Sequence, residues 1–115
     1  ITEGIERTRK IKQQKYRIEA NMEELNSALN KKQLDIRRIT DNVRFYGKEI
    51  ITKKSNLELA RENFNASFSL FTEGRILPSG LAEAEISYKQ VKIDYLKALF
   101  NYIDSLLELT RIIKS

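Results

Sequence analysis

A single spacing runs through the first two thirds of the sequence. Alternate steps of four and three residues from Ile11 reach eighteen positions up to Phe71, and fourteen of them are apolar. These positions are Ile11, Lys15, Ile18, Met22, Leu25, Leu29, Lys32, Ile36, Ile39, Val43, Tyr46, Ile50, Lys53, Leu57, Ala60, Phe64, Ser67 and Phe71. A seven-residue repeat lines up side chains along one helix face and is typical of coiled coils. The pattern therefore predicts one long helix, continuous through Gly47, whose apolar seam requires a partner helix.

The helical pattern is interrupted once, just after Phe71. Gly74 favours the left-handed conformation that commonly closes a helix. Pro78 prevents the helix from continuing, because proline lacks the N–H group and restricts the residue before it to extended geometry. The sequence therefore predicts a hairpin tip between two helices.

The second helix is expected to start directly after this tip. Ser79 or Gly80 is the expected N-cap, and Glu83 and Glu85 are expected to place negative charge near the helix N-terminus, where the dipole favours it. The predicted fold is an all-α, antiparallel coiled-coil hairpin. Its expected parts are a long heptad helix over 1–73, a tip loop over 74–80 and a shorter return helix over 81–115.

The return helix repeats the heptad spacing. Its seam comprises Leu81, Ala84, Tyr88, Val91, Tyr95, Ala98, Tyr102, Ser105, Leu109 and Ile112. A second apolar stripe runs beside it through Leu96, Leu99, Ile103, Leu106 and Ile113, with Phe100 and Leu107 around the circumference. A helix that is apolar on more than one face is buried between several neighbours. The three seam tyrosines at a spacing of seven are interpreted as packing residues and not as a base-stacking ladder.

The predicted helix lengths are unequal. At 1.5 Å per residue the first helix would be roughly 100 Å long and the second roughly 50 Å. The return helix can then cover the long helix only from Phe71 back to about Ile39. The seam from Ile11 to Ile36 is left without a partner in the chain, so we expect self-association through it.

Composition excludes several kinds of chemistry. The chain has no Cys and no His, which removes disulfides, thiolate and imidazole metal ligands, and His- or Cys-based catalysis. The Asp and Glu residues are scattered along helices without a pocket-forming loop, so no enzyme activity and no cofactor are expected. No apolar run approaches the roughly 20 residues of a membrane-spanning helix. The chain starts at Ile1 and is expected to be a piece of a longer protein.

The charge of the chain raises the question of nucleic acid. The net charge is +5, and much of the excess comes from six basic residues uninterrupted by Asp or Glu. They are Arg7, Arg9, Lys10, Lys12, Lys15 and Arg17. Contact with phosphates would resemble a basic region ahead of a zipper. We favour a solvated helix face without nucleic-acid binding, because the apolar seam passes through this segment at Ile11 and Ile18.

Around the tip, the order of motifs resembles a known family. The long helix ends in Ala60-Arg-Glu-Asn-Phe64 and Phe71-Thr-Glu-Gly74, and a short loop, Arg75-Ile-Leu-Pro-Ser79, follows. Then come Leu81-Ala-Glu83-Ala-Glu85 and the Tyr-rich and Ala-rich helix from Tyr88 to Tyr102. This order resembles the C-terminal repeat of TolC-like outer membrane efflux proteins, most clearly over residues 60–113.

The resemblance implies a structural role in transport. Proteins of that family are trimers whose long helices close into a hollow α-barrel across the periplasm, below a β-barrel in the outer membrane. The chain would be a periplasmic segment of that barrel, and its only link to the membrane would be β-barrel strands outside these residues. The hairpin tip would point toward the inner membrane and meet a periplasmic adaptor protein.

The resemblance also assigns residues to the tip contact. Carried over by position, they are Gly74, Arg75, Ile76, Leu77, Pro78, Ser79, Gly80 and Glu83. Gly74 would form the turn, and Glu83 matches an acidic position near the constricted entrance of the channel. The apolar Ile76 and Leu77 would either contact the adaptor or cap the hairpin core.

Two other functions remain open at the level of sequence. One is a coiled-coil hairpin of the adaptor itself or of another tethering protein, although the unequal helix lengths disfavour it. The other is a basic coiled coil that binds nucleic acid, whose affinity would fall steeply with added salt.

Overall fold

The computed structural model describes residues 1–115, which form two α-helices and no strand. Helix α1 spans Thr2–Thr72, with 71 residues, and helix α2 spans Pro78–Lys114, with 37 residues. Residues 38–115 form one compact unit, a helical hairpin, and residues 1–37 form another. The predicted all-α hairpin, with one helix about twice as long as the other, is confirmed.

The heptad seam is the core of the hairpin. Ile39, Ala98 and Ser105 are buried, and the other seam residues from Ile36 to Phe71 and from Leu81 to Ile112 are half-buried. Ser105 donates a hydrogen bond from its hydroxyl to the carbonyl oxygen of Tyr102 at 2.7 Å, so this buried polar group is satisfied. The residues predicted to face each other in the hairpin are therefore the ones removed from solvent.

Helix α1 continues through Gly47, as predicted. A Cβ atom at Gly47 would lie 3.6 Å from the Tyr102 ring, which is ordinary van der Waals contact. Gly47 is half-buried beside the seam. The space there would accept a methyl group.

The unit of residues 1–37 has a different surface. Every residue from Ile1 to Lys31 is exposed, including the apolar seam positions of this segment. The seam positions from Ile11 to Leu29 are thus exposed, whereas Lys32 and Ile36, at the end of the stretch expected to be uncovered, are half-buried.

The predicted boundary of α2 was wrong by three residues. The helix begins at Pro78, and Leu77 is the N-cap in extended conformation (φ −74°, ψ 156°) without a side-chain capping bond. Proline suits the first helical position, because its missing N–H would have no helical partner there and its φ is already set. Ser79 and Gly80 therefore lie inside the helix and are not its cap.

The earlier start of α2 also changes the role of two acidic residues. Its first turn contains no acidic side chain, and Glu83 and Glu85 lie beyond it. Glu85 instead forms an exposed ion pair with Lys89, four residues on, at 3.2 Å. The expected favourable interaction with the helix N-terminus is weak at this distance, because it falls off within the first turn.

Candidate functional site

The tip is closed by a well-defined backbone motif. The amide of Arg75 donates to the carbonyl of Leu70 at 2.8 Å, and the amide of Gly74 donates to the carbonyl of Phe71 at 3.0 Å. These two bonds form a Schellman motif, which satisfies carbonyl groups left free at the end of α1. Gly74 has a φ of +72°, the only positive φ in the chain, so the predicted left-handed glycine is confirmed.

The two apolar residues of the tip have different environments. Ile76 is half-buried and packs toward α2, since a Cβ atom at Gly80 would lie 3.8 Å from its Cβ and Cδ1 atoms. Leu77 is 73% exposed. The two residues therefore differ: Ile76 packs on the first turn of α2, and Leu77 is exposed to solvent.

Most of the residues next to Leu77 in the sequence are also exposed. Arg75 forms an exposed ion pair with Glu73 at 3.5 Å. Pro78, Ser79 and Glu83 are also exposed. Of the eight residues predicted for the tip contact, Ile76 and Gly80 are partly covered, and the others are exposed as a small apolar and charged surface.

A cluster around Tyr88 joins the two helices. The Tyr88 ring stacks on Phe64 with centroids 5.7 Å apart, and the Lys92 ammonium lies 4.7 Å from its centroid. Arg61 donates a hydrogen bond from Nε to the Tyr88 hydroxyl at 3.3 Å. This hydrogen bond lowers the pKa of Tyr88 and raises that of Arg61. These contacts support packing as the role of Tyr88.

A second surface is the exposed part of the α1 heptad. We define the N-terminal seam as Ile18, Met22, Leu25 and Leu29, whose side chains are each 51–59% exposed. Lys15 and Lys32 occupy the heptad positions on either side of it. The six basic residues from Arg7 to Arg17 are exposed and, at about 100° per residue, are distributed around the helix instead of forming one face.

The third surface lies on α2, opposite the hairpin core. We define the outer seam as Ile93, Leu96, Phe100, Ile103 and Leu107, each 45–65% exposed. The sequence indicated additional apolar stripes on α2, but it did not identify this set. The set follows from the three-and-four spacing once the covered residues are known.

The chain contains no cluster of potential metal ligands. No three His, Cys, Asp or Glu side chains come close enough together to hold a metal ion. Neither helix contains a segment that combines the length and the apolarity needed to cross a bilayer.

No protein-family model matches the chain, and no curated protein or solved structure is significantly similar to it.

Proposed function

We propose that the chain is a wall segment of a trimeric outer membrane efflux or secretion channel of the TolC-like kind. In this role the chain lies in the periplasm, catalyses no reaction, and its tip docks on a periplasmic adaptor protein. Two features together carry the proposal. The heptad seam of α1 is covered by α2 along only part of its length, and an apolar residue is exposed at the tip.

The exposed part of the α1 seam supports assembly with other helices. Seam residues from Ile39 onward are removed from solvent by α2, whereas Leu25 and its neighbours in the N-terminal seam are more than half exposed. Contiguous apolar side chains exposed to water mark a surface for association. A wall built from several helices would cover this surface, together with the outer seam of α2.

The tip supports docking. Leu77 is held in extended conformation between the Schellman motif and the first turn of α2, so its side chain is presented on a short and well-defined loop. An apolar side chain with charged neighbours such as Arg75 and Glu83 suits the tip of another helical hairpin with complementary apolar and charged positions.

The alternatives agree less well with the structure. An adaptor hairpin is expected to pair arms of similar length, and here the helices have 71 and 37 residues. Nucleic-acid recognition groups basic side chains along one face, but those from Arg7 to Arg17 surround the helix.

The test is an export assay in the cells that produce the protein. Deletion of the gene should raise intracellular accumulation of a fluorescent cationic dye, and the wild-type gene should reverse the effect. Leu77→Asp should fail to reverse it. Ile51→Asp is the matched control for folding, because Ile51 is 72% exposed, away from the tip.

Cell fractionation provides the second arm of the test. The protein should be recovered with the outer membrane in the wild type and in both variants. Recovery in the cytoplasm, or unchanged dye accumulation after deletion, would contradict the proposal. Export restored by Leu77→Asp would contradict the tip contact alone.

A further inference from the structure

The two apolar seams left exposed by the chain match each other. The N-terminal seam and the outer seam have the same three-and-four spacing, and each contains a run of four large apolar residues. By helical geometry the outer seam lies roughly 150° around α2 from the stripe that packs on α1. α2 can therefore hold a second helix without disturbing the hairpin.

We propose that two copies of the chain form a two-fold dimer in which each N-terminal seam packs, in parallel, on the outer seam of the other copy. The proposed register sets each residue of one run opposite one of the other. The pairs are Ile18 with Leu96, Met22 with Phe100, Leu25 with Ile103, and Leu29 with Leu107. In this register Lys15 faces Ile93 and can extend its ammonium group to solvent.

Charge complementarity selects this register among parallel ones. The positions that flank the two seams pair Lys12 with Glu85 and Glu19 with Lys92. A shift of one heptad in one direction sets Glu19 against Glu85, and a shift in the other direction sets Lys12 against Lys92. Both shifts place like charges together, which is unfavourable.

Other pairings of the same surfaces leave mismatches. If the N-terminal seam packed antiparallel on α2, the register that aligns the two runs, with Met22 opposite Ile103, would set Glu19 beside Asp104 and Lys12 beside Arg111. Both flanking pairs would then be like-charged. If the N-terminal seam paired antiparallel with itself, the register that aligns its four apolar residues would set Lys15 against Lys32. Pairing with itself in either direction would also leave the outer seam exposed.

The reciprocal dimer buries enough surface to be stable. Each copy contributes eight large apolar side chains that are about half exposed. Their combined solvent-exposed area is on the order of 800 Å² per copy, which equals the area that each partner buries in a standard interface. The contact is isologous, so it closes with two copies and leaves neither set of eight side chains open.

The dimer is a different assembly from the proposed channel wall and goes beyond that function. It uses the N-terminal seam, which a ring of copies would also have to cover. The dimer would therefore have to open before a ring could form.

Engineered disulfides test the register directly, because the chain contains no cysteine. The Met22→Cys/Phe100→Cys variant, oxidised in dilute solution, should form a covalent dimer of twice the 13.5 kDa chain mass. Met22→Cys/Ile103→Cys is the matched control, because these two residues face each other in the antiparallel register, and it should cross-link far less. Dominant cross-linking of the control would show the antiparallel contact, and efficient cross-linking of Met22→Cys alone would show pairing of the N-terminal seam with itself. Either result would overturn the proposal.

A charge reversal tests the same register without cysteines. Glu19→Lys should raise the dimer dissociation constant about tenfold, because the substitution makes two symmetry-related contacts repulsive. Adding Lys92→Glu should restore dimerisation, whereas adding Lys97→Glu should not. Sedimentation equilibrium compares the wild type with the three variants. A monomeric wild type at high protein concentration, or rescue by Lys97→Glu, would reject the proposed dimer.

Discussion

The heptad seam of α1 has two different environments in the two units of the chain. In residues 38–115 it is the hairpin core, and Ile39 is 1% exposed; in residues 1–37 the same spacing continues, and Leu25 is 59% exposed. The side chains are of the same kind in both places. The difference shows that a heptad specifies a need for a partner helix but does not say where that partner comes from.

The largest expected effect on stability comes from placing one charged substitution in each of the two environments. Ile39→Asp buries an unpaired carboxylate in the hairpin core and should lower the free energy of unfolding by at least about 3 kcal/mol. Leu25→Asp should change it by less than about 0.5 kcal/mol in dilute solution, because its side chain is exposed. Denaturant titration followed by circular dichroism measures both.

The dependence on protein concentration gives a second comparison of the two substitutions. At high protein concentration Leu25→Asp should abolish self-association in sedimentation equilibrium, whereas Ile39→Asp should lower the stability of the hairpin at low concentration as well. Equal losses of stability at low concentration would show that residues 1–37 are also packed within the single chain.

The next effect concerns the tip. Gly74→Val should destabilise the hairpin by about 1–3 kcal/mol, since a β-branched residue is strained at the observed φ of +72°. Gly74→Asn is the control with a smaller expected loss, because Asn visits the left-handed region more readily. Thermal unfolding of the two variants compares them, and equal melting temperatures for Val and wild type would contradict this account of the turn.

A smaller effect of opposite sign is expected within α1. Gly47→Ala should stabilise the hairpin by about 0.5–1 kcal/mol, because Ala favours the helix and its methyl group would meet Tyr102 at ordinary contact distance. Gly4→Ala adds a methyl group that touches nothing, in the unit without a core. It should leave the unfolding of the hairpin unchanged, and an equal gain from both substitutions would argue against separate units.

The smallest effect is a pH dependence confined to the hairpin. The hydrogen bond from Arg61 holds the pKa of Tyr88 below its usual value of about 10, so ionisation of Tyr88 is easier in the folded protein. Folding stability from this group is absent below the folded pKa, grows as pH rises through it, and is complete above the unfolded pKa. Absorbance titration of wild type and Tyr88→Phe should reveal one tyrosine that ionises early. No difference between them in this range would contradict the role of Arg61.

Much of the fold could be predicted from spacing alone. The heptad, the scarcity of Gly and Pro and the position of Gly74 predict two unequal helices, the seam that joins them and a left-handed residue at the turn. The start of α2 was misplaced because capping preferences favoured Ser79, whereas a proline at the first helical position was the stronger signal. The eight tip residues were predicted as a group, but the sequence did not indicate that Ile76 and Gly80 would be partly covered while Leu77 is exposed.

What the sequence determined by itself is the periodic part of the molecule, because helix formation and seam composition depend on residues three and four apart. The tertiary structure decided that Ile76 turns inward while Leu77 is exposed, and that Arg61 meets Tyr88 across 27 positions. These outcomes depend on where the turn places one helix against the other. That placement brings together residues far apart in the chain, and their spacing in the sequence does not encode it.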